Sequence, residues 1–174
     1  MNTDAPIILD QAGIDQSLDA MARAIASSRA GEPLALVGLL SKGDIIAYRL
    51  ADRLRTLGLE VLCGDIDISL YRDDIYTLEA RPSLRSSNLP FSTDGMRLVL
   101  VDDVLYTGRT VRAALNAIFD YGRPARVELA CLIDRGGREV PIQPDYVGHT
   151  LSEPEQKIKV HLCESEGFDA VTIG

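Results

Sequence analysis

Apolar positions along this chain follow two rhythms that alternate. Leu34-Ala-Leu-Val-Gly-Leu39, Leu98-Val-Leu-Val101 and most of Arg126 to Ile133 are short continuous apolar runs, the trace of strands buried on both faces of a parallel sheet. Between them the spacing is helical. Ile14, Leu18, Met21 and Ile25 mark a first helix, capped by Asp10 or Asp15 and ended by Gly31. Ile45, Ile46, Leu50, Leu54 and Leu57 mark a second, with Asp44 as its expected N-cap and Gly58 closing it. Val111, Ala114, Leu115, Ile118 and Phe119 form the stripe of a third, over 109–121. Glu60 to Leu70 begins mixed and then alternates, predicting another strand region. Residues 1–9 read as a short arm whose Ile7, Ile8 and Leu9 pack on the body. Strands alternating with helices predict an α/β fold, a central and mainly parallel sheet flanked by helices.

Tyr71 to Gly95 breaks the rhythm with Arg, Ser, Asp and Pro, and a polar loop of this length inside a compact domain is usually functional. At 174 residues one domain, 1–174, is expected. A 46% hydrophobic, 25% charged composition argues against disorder. No apolar run approaches the ~18 residues of a membrane span, and Met1 to Pro6 carries no export signal. Cys63, Cys131 and Cys163 are too widely spaced for a disulfide framework or zinc ribbon and read as buried, reduced thiols, so a cytoplasmic location is expected. The formal charge of −8 disfavours non-specific nucleic-acid binding without excluding a local basic patch.

The chemistry gathers after the apolar runs. Asp102 and Asp103 follow Leu98–Val101, and Thr107-Gly-Arg-Thr110 opens the third helix. Open α/β sheets place ligands at the carboxyl ends of their strands, and unpaired N–H groups at a helix start suit a phosphate. A buried strand, a polar turn and a threonine cap with no ligand would leave the same trace. Leu39-Leu-Ser-Lys-Gly-Asp44 joins the first strand to its helix at the same edge, Gly43 permitting close backbone approach and Lys42 supplying a point charge. Tyr71-Arg-Asp-Asp74 and Asp134-Arg-Gly-Gly-Arg138 each have a bland reading, a charged turn and a structural glycine pair. His149 and His161 lack paired ligand spacing and read as solvated or core histidines.

A strand, two adjacent acids and a Thr-Gly-x-Thr loop resemble the PRPP-binding motif of the type I phosphoribosyltransferases. The run Asp102-Asp-Val-Leu-Tyr-Thr-Gly-Arg-Thr-Val-Arg112 is similar to their PyrR branch, pyrimidine-operon attenuators that are also uracil phosphoribosyltransferases. The resemblance covers most of residues 34–148. It implies the type I fold with a lid loop at about 71–95 and a C-terminal hood at about 134–174. Asp102 and Asp103 would be the catalytic pair holding the ribose hydroxyls, and Thr107, Gly108, Arg109 and Thr110 would wrap the 5-phosphate, with Val104, Leu105 and Tyr106 completing the substrate-binding run. Ser41 and Lys42 would meet the diphosphate, Arg72 would reach it from the lid, Arg135 would lie over the substrate, and Val147 or Val160 would wall the base pocket. Mg²⁺ would arrive with PRPP, with few or no direct protein ligands.

The resemblance also marks departures. The diphosphate loop reads Ser41-Lys-Gly43 where the branch usually reads Thr-Arg-Gly, keeping charge but losing the arginine fork. Purine-specific relatives carry an aspartate at the position of Tyr106, and tyrosine, with an ordinary pKa of about 10, is a poor base. Uracil is therefore the expected acceptor, giving UMP and pyrophosphate. The first-helix RNA pattern Thr-Arg-x-x-His reads Asp19-Ala-Met-Ala-Arg23, Gln143 and His149 stand where arginine and lysine are usual, and Ser152-Glu-Pro-Glu-Gln156 replaces a basic run. RNA attenuation is expected to be reduced or lost. The competing readings are a UMP-dependent RNA-binding attenuator and a non-catalytic nucleotide sensor. A homo-oligomer, dimer or higher, is what the family implies.

Overall fold

A computed structural model describes residues 5–28, 33–71, 87–151 and 157–174. Its main sheet has five strands, β2 (Leu34–Leu39), β3 (Val61–Ile66), β4 (Arg97–Leu105), β5 (Arg126–Asp134) and β6 (Tyr146–Thr150), in the order β3-β2-β4-β5-β6 and all parallel. The continuous apolar runs are explained by burial on both faces. Leu36, Val99 and Val101 pack with helices α1 (Gln11–Ser27) and α2 (Gly43–Thr56), while Val37, Leu98 and Leu100 pack with α3 (Arg109–Phe119). Successive side chains of one strand therefore feed two separate cores.

A second, three-stranded antiparallel sheet has the order β1-β8-β7, joining β1 (Ile7–Asp10), β7 (Ile158–His161) and β8 (Ala170–Ile173), with the short helix α4 (Cys163–Glu166) between the last two. Two expectations change here. The arm is a strand, because Ile7 to Asp10 finds its backbone partners in β8. The segment beyond Asp134 divides, β6 extending the main sheet and β7, α4 and β8 building the second one.

Other boundaries shift for local reasons. Asp10, not Asp15, caps α1, its carboxylate accepting the Gly13 amide at 2.8 Å. Asp10→Ala should cost about 1 kcal/mol in a urea titration; an unchanged midpoint would show that β1 pairing holds the helix start instead. Asp44 is not the cap of α2. The helix begins two residues earlier than that cap implies, at Gly43, with Lys42 as its N-cap and Asp44 in the first turn. Cys131 is buried, Cys63 is half-buried and Cys163 is exposed, so the expectation of buried thiols fails at Cys163; all three are free. Among the described residues no helix is long and apolar enough to cross a membrane.

Candidate functional site

Because β2, β3, β4 and β5 are parallel, the segments leaving them emerge at one edge. Residues 40–42, 67–71, 106–108 and 135–142 all lie there. This is where the sheet offers a ligand its crevice.

Asp102 and Asp103 sit within β4, which continues to Leu105. Asp102 is 6% exposed and accepts the Asp103 amide at 3.0 Å, and Asp103 accepts the Val104 amide at 2.9 Å. Burial and then the Asp103 carboxylate hold the Asp102 carboxyl well above the usual range; burial also raises Asp103, with Lys42 opposing. Among the described residues neither acid is in an ion pair. Two adjacent desolvated carboxylates without a salt-bridge partner favour hydroxyl donors or a cation.

The loop before α2 is pressed against this pair. A Cβ on Gly43 would fall 2.4 Å from the Val101 carbonyl oxygen and 3.2 Å from Asp102 Cα. Only glycine fits there. A cis peptide joins Leu40 and Ser41, and Lys42 has φ 77°, a conformation that costs a non-glycine residue and is held by its surroundings. Its ammonium donates to the Val160 carbonyl of β7 and to Glu166 Oε1 (2.8 Å) of α4.

The loop 106–110 is held from behind by the segment after β5. The amide of Arg135 donates to the Leu105 carbonyl (2.9 Å), Arg138 Nη1 to the Tyr106 carbonyl (3.0 Å), and the Glu139 amide to the Thr107 carbonyl (3.0 Å). With these carbonyls engaged, the peptide planes turn their N–H groups the other way. Among the described residues the amides of Thr107, Gly108 and Thr110 have no backbone acceptor. Gly108, the N-cap of α3, has φ 86°, and a Cβ on it would lie 2.8 Å from Val140 Cγ2. The result is a concave set of donors at a helix start.

Other expected site residues fall into place around this geometry. The Arg135 guanidinium stacks over the Tyr106 ring, 3.9 Å from its centroid, and Gly137 lies against the same ring. Arg109 directs Nε to Glu139 (2.7 Å), and its amide donates to Thr107 Oγ1 (3.3 Å). Val104 is half-buried and Leu105 buried; Ser41 is exposed at the loop tip. Val160 is buried in the core cluster, joined to the edge through its carbonyl, and Val147 packs with the core on the α3 face. Arg72 lies outside the described residues, as does Ser152 to Gln156.

Sequence reasoning missed Arg138, Glu139, Glu166 and His161. The Arg-Gly-Gly-Arg run held a signal for the first two, since glycines flanked by cations mark a backbone that must approach another segment. His161, read as a solvated or core residue, instead contacts Glu166 through Nδ1 and Thr172 through Nε2.

A phosphoribosyl transferase domain model matches residues 6–164. A bifunctional protein PyrR of Akkermansia muciniphila is 68% identical over 167 residues, covering 96% of this chain and 94% of its own. The chain belongs to the PyrR branch of the phosphoribosyltransferases. PyrR proteins of Elusimicrobium minutum and Pelotomaculum thermopropionicum are 44% and 48% identical, each over at least 95% of this chain. A hypoxanthine phosphoribosyl transferase of Trypanosoma cruzi shares the fold, with a TM-score of 0.76 at 20% identity over 99% of this chain and 93% of that one. A Staphylococcus aureus hypoxanthine phosphoribosyltransferase, at a TM-score of 0.72 and 17% identity, covers 100% and 96%. This phosphoribosyltransferase thus has the expected type I architecture.

Proposed function

We propose that this enzyme transfers the phosphoribosyl group of PRPP to uracil. The C1–oxygen bond to pyrophosphate breaks, the bond from C1 to uracil N1 forms, and the N1 proton leaves to solvent. The observation that carries this reading is the meeting, at one sheet edge, of a desolvated acid pair, a cup of free amides and a lysine.

In this reading Asp102 and Asp103 hold the ribose 2′- and 3′-hydroxyls, the favoured partners of unpaired buried carboxylates. The amides of Thr107 to Thr110 wrap the 5-phosphate at the positive end of α3. Ser41, Lys42 and Arg72 meet the diphosphate. Tyr106, stacked under Arg135, supports a planar base over the same loop, with Val104 and Val160 forming apolar wall and Leu105 packed behind the loop in the core on the α3 face. Catalysis is then positioning and charge stabilisation rather than proton abstraction. Bound Mg²⁺ would supply neutralisation of the diphosphate; the acid pair fits a hydrated cation, since its buried oxygens form no ion pair among the described residues. The chain acts as one catalytic unit, with the lid at about 71–95 and the hood drawn from the residues past Asp134.

Reduced RNA attenuation is supported by the first helix. Asp15 and Asp19 pair with Arg53 at 2.6 and 2.8 Å, so carboxylates neutralise the cation that a phosphate backbone would need. The nearby cleft of about 310 Å³ between α1 and α2 is lined by Asp19 and Asp52 as well as Arg23 and Arg53.

A screen of uracil, cytosine, orotate and hypoxanthine with PRPP and Mg²⁺ tests the acceptor. Pyrophosphate release with uracil alone is expected; release with hypoxanthine overturns the pyrimidine assignment, and none with any base supports the sensor. In filter binding to a pyrimidine-operon leader, sub-micromolar, UMP-enhanced affinity would overturn the reduced RNA role.

A further inference from the structure

The cation of the diphosphate loop is already held. Lys42 Nζ donates to Glu166 Oε1 (2.8 Å) and to the Val160 carbonyl, spanning from the start of α2 to the second sheet. Glu166 is fixed in turn. Its other oxygen meets His161 Nδ1, the His161 ring stacks on Phe168 with centroids 4.9 Å apart, and His161 Nε2 contacts Thr172 Oγ1 at 3.2 Å. Lys42 also opposes the rise that burial imposes on the Asp103 carboxyl. The ammonium that opposes the rise at Asp103 is thus held by a carboxylate of α4.

From this geometry we infer that Glu166 is a positioning residue which holds Lys42 against the second sheet and sets how tightly the loop takes a diphosphate. The inference rests on the reading that Lys42 meets the diphosphate. A diphosphate must draw the ammonium from Glu166, and with it release the Val160 carbonyl. Val160 is the residue proposed for the base pocket wall, so the Lys42 side chain links the diphosphate loop to the strand that carries it. Ligand affinity falls by whatever Lys42 loses on leaving Glu166. Both partners are about a third exposed or less, so the pair is screened only in part. His161 shares the same carboxylate and reports on its state: when Lys42 departs, Glu166 is left to the imidazole alone.

Glu166→Gln keeps the shape and removes the charge. Inorganic pyrophosphate with Mg²⁺, titrated calorimetrically into the full chain, should bind Glu166→Gln about threefold more tightly than the parent, the size of a partly exposed ion pair. Lys42→Ala should weaken binding, and in that background Glu166→Gln should change nothing. Equal affinity of Glu166→Gln and parent, with Lys42→Ala still weak, overturns the inference and leaves the diphosphate role of Lys42 standing. Full affinity in Lys42→Ala overturns that role itself. The unsubstituted protein gives a second readout: the His161 ring nitrogen resonances should move on pyrophosphate binding, and the Lys42→Ala protein should not show that movement. A stationary His161 in pyrophosphate-saturated parent protein also overturns the inference.

Discussion

Asp102→Asn should leave an enzyme about a hundred- to a thousandfold slower, the range for removing one preorganised polar contact, yet harder to unfold at neutral pH. The two effects share a cause. Asp102 is almost wholly buried beside a second carboxylate, and both circumstances disfavour its charge. Its folded pKa lies above the unfolded one, so the folded protein keeps a proton that the unfolded chain has released. The stability tied to this site is fully present below the ordinary aspartate pKa of about 3.9 and is lost as pH rises through the folded value. Asparagine carries no charge to desolvate and still accepts the Asp103 amide through Oδ1. It should therefore gain about 1 kcal/mol at neutral pH and flatten the fall in stability with rising pH. Asp103→Asn should lose comparable activity with a smaller stability gain, because the Val104 amide and then Lys42 already oppose the rise that burial causes at Asp103. Urea unfolding between about pH 4 and pH 8 checks the slope. An Asp102→Asn protein that is fully active, or less stable at every pH, removes the acid pair from the site.

The same arrangement explains which features were legible before the fold was known. A strand buried on both faces must be apolar throughout, so β2, β4 and β5 announced themselves. β1, β7 and β8 have four residues each, too few to establish an alternation, and their pairing joins opposite ends of the chain, as in Ile7 with Thr172. The acids and the Thr-Gly-Arg-Thr loop were visible because contiguous residues carry them. The lock on Lys42 was not, since Glu166 reaches it across 124 positions and belongs to a four-residue helix. The start of α2 was misplaced for a tertiary reason. Asp44 is a good capping residue locally, but the approach of Gly43 to β4 draws that glycine into the first turn and leaves Lys42 as the cap.

That approach makes Gly43→Ala a severe single methyl group to add at this edge. The new Cβ would meet the Val101 carbonyl oxygen at 2.4 Å, and that oxygen belongs to a central strand with neighbours on both sides. It cannot yield as a flexible side chain would. The helix must move instead, and behind it Gly38 is already so close that a Cβ there would lie 2.3 Å from Asp44 Cα. Overpacking of this kind costs roughly 2–3 kcal/mol. A shift of the diphosphate loop by about an ångström should also slow transfer on the order of a hundredfold. Gly58→Ala is the contrast. Gly58 has φ 85°, and its Cβ would meet nothing within 4 Å. Only the backbone conformation penalises it, by about 1 kcal/mol, and turnover should stay at the parent level. If Gly43→Ala unfolds at the same urea concentration as Gly58→Ala and turns over like the parent, the loop does not lean on β4. The placement of Lys42 beside Asp103 would fail with it, because the glycine contact is what brings that lysine to the acids.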